Sequence, residues 1–353
     1  MILSSILLLI SLAFWAVLAA GALAPIESLT WWAGWTDTET SENESAISQR
    51  EEKVAAGRRE NPDNSSVHER PTRYIIYLSG ISTIAGRYLA YQEQRFLEKL
   101  KAEFPDAIII SDVFPYAPSG KSLMASRRLF GFFWRALLTM RMRGRGAMGV
   151  LANVRNVFQV LVSADHRYGP IFNLGASRVI LKALYRCGYK PGAPITLIGF
   201  SGGAQVAIGA ATFLHRDVKG PIDVISLGGV MSSDPGLSKV RTLYQFYGGR
   251  DRVHRLGALL FPERWRTFPY STWNEANKEN RIVSRQIGDM AHAGSMGYFG
   301  LQRMPNGDRY ADNTLQAVTA ALKGQVSSFQ EVKATRAGLL EGPHSSDARS
   351  VSQ

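Results

Sequence analysis

Ser201, Asp251 and His292 carry the three side-chain types that together can attack a carbonyl: a hydroxyl, a carboxylate and an imidazole. Ser201 sits in Gly199-Phe200-Ser201-Gly202-Gly203, a G-x-S-x-G pattern. The pattern alone is weak, since chance supplies roughly 0.3 matches in a chain of this glycine and serine content. Its setting is more specific. It ends the apolar run Ile195 to Phe200 and opens a stretch of small, helix-compatible residues. A serine on such a strand–turn–helix junction is held in a strained conformation with its oxygen at the sheet edge. The neighbours two positions either side pack very closely, so Gly199 and Gly203 are the residues that fit.

A serine hydroxyl needs a base, and the base needs an orienting acid. In the elbow setting the chain order is nucleophile, acid, base. Asp251 follows the apolar run Val240 to Tyr247 in the loop Gly248-Gly249-Arg250-Asp251. Asp234, in Met231-Ser232-Ser233-Asp234-Pro235, is the runner-up acid; a cap or an Asp-Pro turn is its plainer reading. Of six histidines, His68 falls in a polar segment and His344 in the tail. His166 and His215 break the order, and His254 stands too near Asp251 to come from a separate loop. His292 remains, in a glycine-rich loop after the final strand-like run. An oxyanion site would take the Gly202 amide and a second one from the loop Ser79-Gly80-Ile81-Ser82. There Gly80 permits close backbone approach, and Ile81 or Ser82 supplies the N–H.

These residues need elements to place them. Runs at 73–79, 107–113, 195–200, 222–227 and 240–247 are largely apolar and mostly end in or near glycine, and 280–287 is a candidate sixth. Helical periodicity appears at 86–104, 175–187 and 202–215. Alternation of this kind predicts an α/β class: a mostly parallel, doubly wound sheet with helices on both faces. Ligands of such sheets bind beyond the carboxyl ends of the strands, where each candidate residue lies.

The elbow GFSGG, the acid loop GGRDR and the His292 loop, in that order, resemble the α/β-hydrolase superfamily over about residues 71–323. The resemblance implies a serine hydrolase using Ser201, Asp251 and His292, an acyl-enzyme, and no metal or organic cofactor. The first two strands of the full fold are not evident, so the sheet is expected to be a reduced one. A peptidase or a haloperoxidase-like activity on the same fold stays open.

The chain has 353 residues, 45% of them apolar, and a net charge of +12. The lone Cys187 excludes an intrachain disulfide framework. Residues 1–26 hold no charged side chain. As a helix, about 24 residues reach roughly 36 Å, enough to cross a hydrocarbon layer of about 30 Å. Trp31, Trp32 and Trp35 follow as an interfacial belt, and no Lys or Arg precedes Arg50. Pro25 after Ala22-Leu23-Ala24 disfavours cleavage as a signal peptide. A single-pass N-terminal anchor at 1–26 is therefore expected, then a polar linker at 27–70 and a disordered tail at 324–353. Asn43 and Asn64 match glycosylation acceptors, which count only in a secretory lumen.

Residues 114–168 interrupt the alternation and read as a helical cap insertion. They mix Phe130, Phe132, Phe133 and Trp134 with Lys121, Arg127, Arg128, Arg135, Arg141, Arg143, Arg145 and Arg155, and no Asp or Glu occurs from Val113 to Ala164. Aromatics among arginines suit an anionic lipid interface, although a helix packed on the sheet with solvated arginines accounts for them equally. No nucleic-acid module accompanies the basic run, so nucleic acid is not an expected partner. The reading is a membrane-anchored hydrolase of an ester or thioester with an acyl or lipid-like portion. The alternative is a catalytically silent scaffold that binds a lipid or a protein partner at the membrane.

Overall fold

The computed structural model describes residues 11, 15, 21, 24–34, 73–83, 89–120, 147–304 and 307–326. Six strands form one sheet: β1 (Arg73–Leu78), β2 (Ala107–Ile110), β3 (Ile195–Phe200), β4 (Ile222–Leu227), β5 (Thr242–Tyr247) and β6 (Ile282–Gln286). Their order is β2-β1-β3-β4-β5-β6, and every pairing is parallel. The helices are α1 (Tyr91–Glu103), α2 (Ala147–Ala164), α3 (Gly169–Arg186), α4 (Gly202–Val218), α5 (Leu256–Leu260), α6 (Thr272–Lys278) and α7 (Tyr310–Leu322).

The sheet is buried on both faces, which is why its central strands read as unbroken apolar runs. All six residues of β3 are buried, as are five of six in β1. One face packs on α3 and α4 through Leu197, Ile195, Ala207, Ile208 and Ile180. The other packs on α1 and α7 through Ile75, Tyr77, Phe96, Leu100 and Val318. The doubly wound α/β sheet expected from the sequence is the observed architecture. Among the described residues no strand precedes β1.

The chain leaves β1 toward β2 on one side and returns to β3 on the other side of β1. Loops leaving the carboxyl ends of β1 and β3 therefore diverge, and a crevice opens between them. Leu78, the last residue of β1, stands in register with Gly199 of the elbow. This topological switch point places the Ser79–Ser82 loop beside Ser201.

The insertion at 114–168 contributes α2, which packs against α3 and α4. The aromatic and basic stretch at 121–146 lies outside the described residues. The segment 27–70 does not begin as a free linker. Residues 24–32 are helical, and Ala24, Ser28 and Trp31 are buried against the domain. Arg178 of α3 lies 5.5 Å from the Trp31 ring centroid, so this tryptophan serves intramolecular packing. Trp35, Asn43, Asn64 and the tail beyond 326 lie outside the described residues, as do most of residues 1–23. No helix among the described residues is long and apolar enough to cross a membrane.

Candidate active site

The elbow is built by close packing. Ser201 has φ 53° and ψ −123°, a conformation that side chains rarely adopt. A Cβ on Gly199 would stand 2.4 Å from the backbone of Ala204, and one on Gly203 would stand 2.4 Å from the Leu78 carbonyl oxygen. Both obstacles are backbone, so neither can yield cheaply. Ser201 donates its own N–H to Leu227 O, 3.0 Å, which ties the turn to β4. Ser201 is the N-cap of α4, a 17-residue helix. The positive end of that helix dipole faces the space beside its hydroxyl.

The loop after β6 brings His292 over the elbow. His292 Nε2 is 2.9 Å from Ser201 Oγ, and its Nδ1 is 2.9 Å from Asp251 Oδ2. The Phe200 ring lies nearly parallel to the imidazole at 5.3 Å between centroids and holds its plane. The three residues singled out in the sequence thus form one continuous hydrogen-bonded chain. In this order the imidazole can accept the serine proton while the carboxylate steadies the cation that results.

Asp251 is completely buried yet remains the ionised member. Burial pushes its carboxyl up, but the His292 hydrogen bond and charge, the Tyr298 hydroxyl and the His254 N–H outweigh it and hold it below the ordinary value. Tyr298 donates to Asp251 Oδ2 at 2.7 Å and accepts the Gly248 N–H at 2.9 Å. Val253 and His254 donate backbone N–H groups to Oδ1 at 2.8 and 3.2 Å. Burial and the neighbouring carboxylate raise the Tyr298 phenol far above its usual range, so it stays a proton donor. Gly228, with φ 57°, makes room for this cluster. A Cβ there would stand 2.6 Å from both Asp251 Oδ2 and the Tyr298 ring.

The two segments expected to supply the oxyanion amides are neighbours. A Cβ on Gly202 would lie 3.0 Å from the Ile81 side chain, and one on Gly80 would lie 2.8 Å from the Phe200 ring. The loop from β1 therefore touches the first turn of α4, whose opening N–H groups have no intrahelical acceptor.

While His292 Nδ1 takes Asp251 as its partner, Asp234, the runner-up acid, serves as a turn cap. Its Oδ1 accepts the Gly236 N–H at 2.8 Å, and its Oδ2 accepts Gln205 Nε2 at 3.0 Å. It borders a cavity of about 70 Å³ shared with His166, Asn173 and Thr212. Burial is the main cause that raises its carboxyl to about 6. His254 is turned away: its Nδ1 is 2.6 Å from the Asp251 carbonyl, and its ring stacks on Tyr247.

Tyr298 and Gly228 were not singled out for the site in the sequence. The signal for Tyr298 was a phenol in a buried Tyr-Phe pair, because a buried hydroxyl requires a partner. Gly228 belonged to the Gly228-Gly229 pair that closes β4 and gave no sign of what it would face.

No family model matches the chain, and no curated protein matches it. Among solved structures, it is similar to a dienelactone hydrolase-like promiscuous phosphotriesterase from metagenomic libraries at 10% identity and TM-score 0.41. That match covers 74% of this chain and 90% of the other. A structure named m3DLH is similar at 10% identity and TM-score 0.41, over 75% of this chain and 90% of that one. A likeness of this degree speaks to neither substrate nor mechanism.

Proposed function

We propose that the protein is a membrane-anchored serine hydrolase of an ester or thioester with an acyl or lipid-like portion. The observation that carries this reading is the Ser201–His292–Asp251 chain, with both links at 2.9 Å, on a strained elbow. Ser201 Oγ attacks the carbonyl carbon and His292 Nε2 takes its proton. The Gly202 and Ile81 N–H groups receive the charge that gathers on the carbonyl oxygen. His292 then returns the proton to the leaving alcohol or thiol. Water, deprotonated by the same nitrogen, attacks the acyl-enzyme and regenerates Ser201.

The apolar substrate and the membrane setting are supported by a second surface. After Asp251 the chain exposes Leu256, Leu259, Leu260, Trp265, Phe268 and Tyr270 within fifteen residues, Leu256 to Tyr270. Arg255 and Arg266 accompany them, against the single carboxylate of Glu263. Large apolar side chains displayed among cations suit the face of an anionic bilayer. Residues 1–26 would supply the tether.

The test is labelling of the detergent-solubilised full chain with a fluorophosphonate. The parent is expected to label, and Ser201→Ala to lose the label. Equal labelling of the two would remove Ser201 as the nucleophile. The low exposure of Ser201, 5%, favours the second reading of a silent scaffold that binds a lipid or protein partner. A parent chain that neither labels nor turns over acyl esters would establish that reading instead.

A further inference from the structure

The loop that brings Ile81 to the elbow is held both from within and from outside. An internal backbone bond runs from Thr83 N to Gly80 O, at 3.2 Å. That bond has a directional consequence. A trans peptide points its C=O and N–H in opposite directions. Tethering Gly80 O on one side therefore aims the Ile81 N–H toward the other.

The rest of the loop is held from outside. Tyr116 donates its hydroxyl to Ser79 O at 2.7 Å. Asn156 of α2 donates Nδ2 to Ile81 O at 2.7 Å and to Thr83 O at 2.8 Å. Asn156 is fully buried, and its amide group bridges two carbonyls flanking Ser82. Its Oδ1 accepts Arg155 Nη1 at 2.9 Å. The same Nη1 donates to Tyr116 O at 2.9 Å, so Arg155 ties both clamps together.

Arg155 is in turn held by the N-terminal stretch. Its Nη2 pairs with Glu27 Oε2 at 2.5 Å, with the side chains 14% and 19% exposed. Gln159, one turn on, donates to the same carboxylate oxygen and to Ala24 O, each at 3.3 Å. An ion pair so far withdrawn from water is screened little, and loss of one partner leaves the other unpaired.

We propose that Glu27, Arg155 and Asn156 form a positioning relay that holds the Ile81 amide for the oxyanion, making the N-terminal stretch part of the catalytic apparatus. The inference rests on the hydrolase reading of Ser201 and adds to it. Glu27 anchors the guanidinium, the guanidinium orients the Asn156 amide, and Asn156 fixes the loop. None of the three touches the substrate. Loss of the relay therefore weakens transition-state binding more than substrate binding. The stretch that carries Glu27 directly follows residues 1–23, so the position of those residues relative to the domain bears on turnover.

The experiment measures hydrolysis of a p-nitrophenyl acyl ester by the full chain in detergent. Removing one oxyanion donor outright typically costs about 100- to 1000-fold in kcat. For Asn156→Ala, which loosens a donor, kcat is expected to fall about 10- to 100-fold. KM should stay within about twofold, and the pH midpoint should match the parent, because His292 and Asp251 are untouched. Glu27→Gln should lower kcat several-fold alone and add nothing in the Asn156→Ala background. Arg241→Ala is the control: it breaks the pair with Asp223 at the opposite end of the sheet and should leave kcat unchanged.

A folded Asn156→Ala with parental kcat overturns the relay, as does a Glu27→Gln effect that persists undiminished in the double variant. Should Asn156→Ala not fold, Glu27→Gln decides alone, and a parental kcat there overturns the relay. A parent that neither labels nor turns over overturns the hydrolase reading itself. That outcome differs from a labelled, active parent whose relay variants match it.

Discussion

Asp251 receives hydrogen bonds from four donors, of which the Tyr298 hydroxyl alone also holds the acid loop through Gly248. Tyr298→Phe keeps the ring and removes both bonds. The carboxylate loses a donor and a buried N–H loses its acceptor, a cost of about 1–3 kcal/mol in stability. The imidazolium is then less firmly steadied. We expect kcat/KM to fall about tenfold, equivalent to roughly 1.4 kcal/mol in the transition state. Ester hydrolysis and urea unfolding of the variant check both figures, and an unchanged kcat/KM would show that the phenol has no part in the chemistry.

Asp234 gives a pH prediction of definite sign. Its folded value of about 6 lies above the unfolded 3.8, so the folded state binds more protons between them. The stability associated with that protonation is full below about pH 4 and is lost as pH rises through 6. The loss is on the order of 3 kcal/mol. Relative to the parent, Asp234→Asn should therefore gain stability between pH 4 and 7. Urea unfolding at the two pH values measures the difference, and a pH-independent difference would contradict it.

At the scale of elements, the elbow joins β3, α4 and the end of β1 at one point. Gly203→Ala would drive a methyl group against Leu78 O, and backbone at the centre of a sheet has nowhere to go. Overpacking of this kind costs about 1–3 kcal/mol or more. The variant should unfold at lower urea concentration and lose fluorophosphonate labelling, whereas parental labelling would mean the turn has slack. The strands and α4 were legible because both faces of the sheet are covered and the apolar runs are unbroken. Ser201, Asp251 and His292 were legible because each stands just beyond a strand end. The docking of residues 24–32 was not. Glu27 and Arg155 are 128 positions apart, and their pairing depends on α2 lying on α4, which no local periodicity encodes. Asn156 was hidden for the same reason: an asparagine in an apolar helix reads as an exposed polar position until the loop it clamps is in place.

At the scale of the whole molecule, the apolar surface after Asp251 lies in the loop leaving β5, at the same end of the sheet as Ser201. Leu259 is 69% exposed and Tyr270 86% exposed, which is costly in water and favourable in a lipid interface. The net charge of +12 adds a long-range attraction to anionic lipid that salt would screen. On the proposed reading, a tether alone would keep the chain near the bilayer without orienting the site, and this surface would supply the second contact that orientation requires. We therefore expect Leu259→Ser/Tyr270→Ser in proteoliposomes to hydrolyse a vesicle-borne acyl ester about tenfold more slowly than the parent. Hydrolysis of a water-soluble p-nitrophenyl ester should be unchanged, since both side chains are exposed and neither bonds to Ser201, His292 or Asp251. The defect should be larger on vesicles containing phosphatidylserine than on phosphatidylcholine alone, and should shrink as salt rises. Equal rates for variant and parent on both vesicle types would mean that this face meets no membrane.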